Sequence, residues 1–296
     1  MSVTVFAFNE SDILAKSVAS HLHADFSCVD IHHFPDRESC VRINPDDVTD
    51  VCIVVASLYD PDKKSLSLIF LSETLRDYGA ERIILVAPYL AYMRQDKRFK
   101  DGEGITAQYY ARLISRYFNA LVTIDPHLHR IHHLNDIYSI PTKVLHAAPV
   151  VADWIKDNIE QALLIGPDCE SEQWVSDLSQ RAKAPYVVLE KVRYGDRDVN
   201  VSVPHVEKWL QHQPVLFDDI ISTGKTMIET IRHFKQAGLS PPVCIGIHGV
   251  FSDQAYQELL ATGAERIITT NTITHPSNAI DVSHLIVKGL QELLKP

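Results

Sequence analysis

Short apolar runs rich in β-branched residues alternate along the chain with stretches whose apolar positions recur at helical spacing. Residues 3–8 (VTVFAF) lead into a helical stretch from about Ser11 to His23, and residues 27–34 (SCVDIHHF) read as one further strand. Residues 51–57 (VCIVVAS) precede a helix over 66–78, residues 82–88 (RIILVAP) form a strand, and a helix over 106–118 is followed by the strand 120–125 (ALVTID). Strands alternating with helices of about three turns predict a parallel sheet covered on both faces.

The second half repeats this order. Residues 162–168, 185–192, 215–220, 243–250 and 265–270 carry the strand pattern, with helices over 171–182, 226–237 and 254–262. Ser11 with Ser171, and Ile83 with Val243, lie about 160 residues apart. Repetition at one domain's length points to duplication of a single α/β unit, with a seam near residues 141–149. The stretch 281–294 reads as a helix with no partner in the first half, expected to pack back on the N-terminal domain.

Composition narrows the function classes. The 296 residues carry 28 basic and 38 acidic side chains, a net charge of −10, with 46% hydrophobic residues. This acidic balance argues against general affinity for nucleic acid or acidic membranes. No stretch approaches the ~20 apolar residues of a membrane helix, and the N-terminus has no secretory pattern. Cys28, Cys40, Cys52, Cys169 and Cys244 form no C-x-x-C pair and read as buried or semi-buried thiols of a cytoplasmic protein. His127, His129, His132 and His133 crowd one segment, but structural zinc would need a fixed tetrahedral set.

In open parallel sheets, ligands bind at the carboxyl ends of strands. Asp125, His127, Asp168, Asp218 and Asp219 fall there. The most specific segment is VLFDDIISTGKT, residues 215–226: an apolar strand, two acids, a turn glycine with hydroxyls, then a helix. Free N–H groups at the helix start form an anion cradle, and Ser222, Thr223 and Thr226 add hydroxyls around Gly224. Asp218 and Asp219 beside that cradle suit a ribose phosphate, with acids on the 2- and 3-hydroxyls and N–H groups on the 5-phosphate. A plain helix N-cap is the bland alternative. A Walker loop is a rival, but its first glycine is absent, because Asp219 stands at that position.

This segment resembles the phosphoribosyl diphosphate loop of phosphoribosyltransferases and ribose-phosphate pyrophosphokinases. PYLAYMRQDKRF (residues 88–99) is similar to the pyrophosphokinase signature PYxxYxRQDK. HFPDRE (33–38), DPHLHRI (125–131), GPD (166–168) and KVR (191–193) resemble further pieces of that family, in its order. The resemblance implies an α/β fold of two tandem duplicated phosphoribosyltransferase-like domains, each a mainly parallel sheet flanked by helices. These are expected over 1–145, joined by the helix 281–296, and over 146–280.

It further implies a magnesium-dependent enzyme that moves diphosphate from ATP to ribose 5-phosphate, acting as a homo-oligomer, a dimer or hexamer. By the same resemblance, Arg94, Gln95, Asp96 and Lys97 hold ATP, and Phe34, Asp36 and Glu38 form the adenine pocket, reaching into a neighbouring subunit. His127 and Asp168 serve the metal, with Asp168 also at the sugar, where Asp218, Asp219, Ser222, Thr223, Gly224 and Thr226 bind. Lys191 and Arg193 sit on a catalytic loop. Alternatives from other classes are a phosphoribosyltransferase and a non-catalytic regulatory homologue. The chain departs from the family pattern at Arg37 (often Gly), Arg130 (often Gln), Ser222 (often Asp), Lys225 (usually small) and residues 169–175, which suggests an archaeal-like member.

Overall fold

A computed structural model describes residues 2–166, 171–194, 198–202 and 208–295. The first half runs β1 (Val3–Ala7), α1 (Asp12–Leu22), β2 (Asp25–Cys28), β3 (Asp30–His33), β4 (Ser39–Arg42), β5 (Val51–Val55), α2 (Pro61–Asp77), β6 (Arg82–Ala87), α3 (Thr106–Tyr117), β7 (Ala120–Ile124) and β8 (Thr142–Leu145). The second runs α4 (Ala148–Asn158), β9 (Ala162–Gly166), α5 (Glu172–Ala182), β10 (Tyr186–Val188), β11 (Glu190–Tyr194), β12 (Asp198–Ser202), β13 (Gln213–Ile221), α6 (Lys225–Ala237), β14 (Val243–Gly249), α7 (Ala255–Thr262), β15 (Arg266–Thr270), β16 (Asn278–Ile280) and α8 (Ser283–Leu293).

Two parallel six-stranded sheets result, ordered β2-β1-β5-β6-β7-β8 and β10-β9-β13-β14-β15-β16. The two orders are the same, strand for strand, so the repetition in the sequence is a repetition of topology. The central strands are apolar throughout because helices cover both faces: every residue of β5, β7 and β9 is buried. On the helices the apolar residues return each turn, as in Met227, Ile228, Ile231 and Phe234 of α6, which then stops at left-handed Gly238.

The compact units are residues 1–146 with 272–274 and 282–296, and residues 147–271 with 275–281. The first sheet therefore takes a covering helix, α8, from the far half of the chain, while the second is covered by α4, which directly precedes it. In the first unit, α8 buries Ile286, Val287 and Leu290 and contacts α1, β7 and β8. Arg82 donates to the Leu293 carbonyl at 2.9 Å, Lys143 pairs with Glu292, and Gly289 lets the helix close on Leu145. In the second unit, α4 buries Val151, Ala152 and Ile155 and contacts α5 and β16.

Several expectations need correction. The tail helix does have a counterpart: α4 follows β8 as α8 follows β16. The pattern over 27–34 is two strands in two sheets, and 185–192 divides in the same way. At each division one residue makes a last bond to the parallel sheet, Val29 N–H to the Ala7 carbonyl and Leu189 N–H to that of Gly166. The chain then leaves to form the antiparallel hairpins β3–β4 and β11–β12. Cys28 and Cys40 are exposed, whereas Cys52 and Cys244 are buried, and burial pushes the Cys244 thiol up to about 12. Cys169 lies outside the described residues.

Candidate active site

In the second unit the end of β13 turns into α6 through residues 222–224. The strand continues past both acids to Ile221, so Asp218 and Asp219 are strand residues, half-buried, and the Asp219 N–H is held by the Asp218 carboxylate at 3.0 Å. Gly224 is the helix N-cap at φ 64°, and a Cβ there would meet Leu259 at 3.2 Å. Glycine meets both demands. Gly224 has no side chain to cap α6, which leaves the N–H groups of its first turn suited to an anion. Thr223 is exposed and Thr226 half-buried beside them, while Lys225 projects into solvent. Ser222 Oγ lies 3.0 Å from Ser252 Oγ, and the Ser252 N–H donates to the Ser222 carbonyl at 3.1 Å. Ser252 braces this loop from the end of β14, 30 residues away, a partnership that no local pattern reveals.

In the first unit, two loops at strand ends carry the other polar residues. The loop after β6 presents Arg94 and Lys97 to solvent, with Gln95 half-buried. Gln95 Nε2 donates to the Lys97 carbonyl and to Glu103, both at 3.3 Å. Glu103 also accepts from the Phe99 and Lys100 N–H groups, which hold its carboxyl below the usual range. Asp96 is buried and faces Arg130, which follows β7. The loop after β7 begins at Asp125, buried at φ 35° and paired with His146 Nδ1 at 2.8 Å. His127 is half-buried, its ring 4.1 Å from that of His129. His133 instead starts a short 3-10 turn, its N–H bonded to Asp136 at 3.2 Å. Among the described residues no three His, Cys, Asp or Glu side chains converge on a metal position.

Phe34, Asp36 and Glu38 occupy the tip of the β3–β4 hairpin. Phe34 is 46% exposed and meets His32 edge-on, and the Glu38 N–H donates to Asp36 at 3.1 Å. Arg37 sits at φ 73°, the left-handed conformation that favours the glycine usual in the resembled family. Lys191 and Arg193 fall on β11, opposite Val201 and Val199, but their side chains lie outside the described set, as does all of Asp168. Glu103 and Ser252 are contributors that motif reading missed, and Arg130 stood out there only as a departure from the family pattern.

The family model for the N-terminal domain of ribose phosphate pyrophosphokinase matches residues 3–117, and that for the phosphoribosyl transferase domain matches residues 133–286. A ribose-phosphate pyrophosphokinase of Sulfurisphaera tokodaii is 35% identical over 87% of this chain and 89% of its own. The chain belongs to the ribose-phosphate pyrophosphokinase family. Another member, from Methanopyrus kandleri, is 30% identical over 98% of this chain and 99% of its own. The crystal structure of phosphoribosylpyrophosphate synthetase from Mycobacterium smegmatis shares the fold at a TM-score of 0.84, over 99% of both chains at 23% identity. Two phosphoribosyltransferase-like α/β domains are thus the family's architecture in this chain. No described helix is long and apolar enough to cross a membrane.

Proposed function

We propose that this protein is a ribose-phosphate diphosphokinase of nucleotide biosynthesis, a cytoplasmic enzyme. It moves the β,γ-diphosphate of ATP to the 1-hydroxyl of ribose 5-phosphate, giving 5-phosphoribosyl 1-diphosphate and AMP. The observation that carries this reading is the β13–α6 loop: an uncapped helix start, left-handed Gly224 and two half-buried carboxylates on one short segment. In a chain of this family, that segment suits the sugar phosphate.

The first-turn N–H groups of α6, with Ser222, Thr223 and Thr226, receive the 5-phosphate. Asp218 and Asp219 accept from the ring hydroxyls and so orient the 1-hydroxyl. Arg94, Gln95 and Lys97 hold the ATP phosphates. As the sugar oxygen bonds to the β-phosphorus, the bond from that phosphorus to the oxygen of AMP breaks, AMP leaves with that electron pair, and the proton of the sugar hydroxyl passes to water. Lys191 and Arg193 neutralise the charge that spreads over the transferring group.

His127 and Asp168 would hold magnesium, which prefers hard oxygen donors and would complete its shell with substrate phosphates and water. The ion, when bound, neutralises phosphate charge.

Phe34, exposed at a hairpin tip, suits stacking on adenine in a neighbouring copy, with Asp36 and Glu38 accepting hydrogen bonds. Light scattering on the working enzyme is expected to show at least a dimer, and a fully active monomer would remove the shared pocket. The function itself is tested by incubation with magnesium, ATP and ribose 5-phosphate. AMP is expected, whereas no AMP, with reaction of a nucleobase and phosphoribosyl diphosphate instead, would make the protein a phosphoribosyltransferase.

A further inference from the structure

Arg130 brings a guanidinium and a backbone amide to one carboxylate. Its Nη1 lies 3.1 and 3.4 Å from the two oxygens of Asp96, and its N–H donates to Asp96 Oδ2 at 3.2 Å. The Asp96 side chain is only 4% exposed. The guanidinium carbon also stands 5.8 Å from the centre of the Phe99 ring, which Lys97 Nζ approaches at 5.0 Å. One residue of the loop after β7 thus grips the loop after β6 at two points, on either side of Lys97. A hidden carboxylate that already accepts three hydrogen bonds has little left to offer a nucleotide.

We propose that Arg130 is a positioning residue for the nucleotide loop. By capturing Asp96 it fixes the segment carrying Arg94 and Gln95 against the segment carrying His127. This rests on the reading of residues 94–97 as the ATP loop, and it gives Asp96 an anchoring role in place of contact with ATP. The chemistry suits arginine: one guanidinium nitrogen lies within reach of both oxygens and the group keeps its charge, while glutamine, the usual residue in the family, offers only a neutral donor. Without the guanidinium, a buried carboxylate keeps only a backbone partner, and the loop must move to hydrate it.

The test combines steady-state kinetics with hydrogen exchange on the full-length protein. Arg130→Ala is expected to raise the ATP KM by about 10-fold while the ribose 5-phosphate KM stays within about twofold. Arg130→Gln should fall between Ala and the wild type. Asp96→Asn should act in the same direction, and adding it to Arg130→Ala should cost little more, because both changes break one interaction. Without nucleotide, amides of residues 95–100 should exchange faster in Arg130→Ala. An unchanged ATP KM, an equal rise for both substrates, or unchanged exchange would each overturn the proposal. If the wild type makes no AMP, the functional reading fails by itself, and the exchange experiment still decides whether Arg130 holds the loop.

Discussion

Asp219 and His275 each do something that their neighbours cannot replace. Asp219→Ala removes one acceptor from the proposed sugar site, and a hydrogen bond to a charged group is worth ~1.5–3 kcal/mol. Ribose 5-phosphate should bind roughly 10- to 100-fold more weakly by calorimetry, and unchanged affinity would withdraw Asp219 from the sugar. His275 packs its ring 4.4 Å from Phe251 and 4.8 Å from Tyr256, and its Nδ1 accepts the Ser277 N–H at 3.2 Å. Both the burial and the accepted bond favour the neutral ring, and burial lowers its pKa. The unfolded chain therefore takes up the proton more readily. The stability His275 contributes is fully present above the ordinary histidine value of about 6.5 and is lost as pH falls through the lowered one. Denaturant midpoints measured from pH 7 downwards should fall, and His275→Phe should flatten that slope. At this scale the motifs name residue types and their order along the chain. They do not reveal the partners of Asp96 and Ser222, which come from chain segments 34 and 30 residues away.

Strand and helix order was legible because apolar periodicity reports burial, and burial follows from the sheet. Element ends were less so. The run over residues 27–34 keeps one β-like pattern while the backbone passes from a parallel sheet into a hairpin, because both environments leave alternate residues half-covered. The short edge strands β8 and β16, of four and three residues, are too brief to stand out as periodic runs. The β11–β12 hairpin is where the remaining catalytic expectation can be tested. A cation that meets the diphosphate mainly in the transition state affects kcat more than binding. Lys191→Ala is expected to lower kcat by about 100-fold or more with modest change in either KM. Near-normal turnover in stopped-flow and steady-state assays would make the hairpin a surface feature.

Across the whole molecule, the packing of α8 on the first unit ties the last helix of the chain to the core of its first half. Leu290 is fully buried on α8, and Leu290→Ala should cost ~2–5 kcal/mol. The loss should be local. Hydrogen exchange should rise in α1, β7 and β8, which α8 touches, although the substitution lies in the last turns of the chain. Exchange that instead rose only in β13 to β16 would contradict the assignment of this helix to the first unit.

The same arrangement sets a timetable for synthesis. When His146 has left the ribosome, the first sheet has every strand it will ever have, yet the helix that seals α1 against β7 and β8 is still unmade. Translation at ~5–20 residues per second leaves that apolar face open for roughly 7 to 30 seconds. A nascent chain in this state is a natural client for a holding chaperone, and a premature stop late in the message would ruin the half of the protein that was made first.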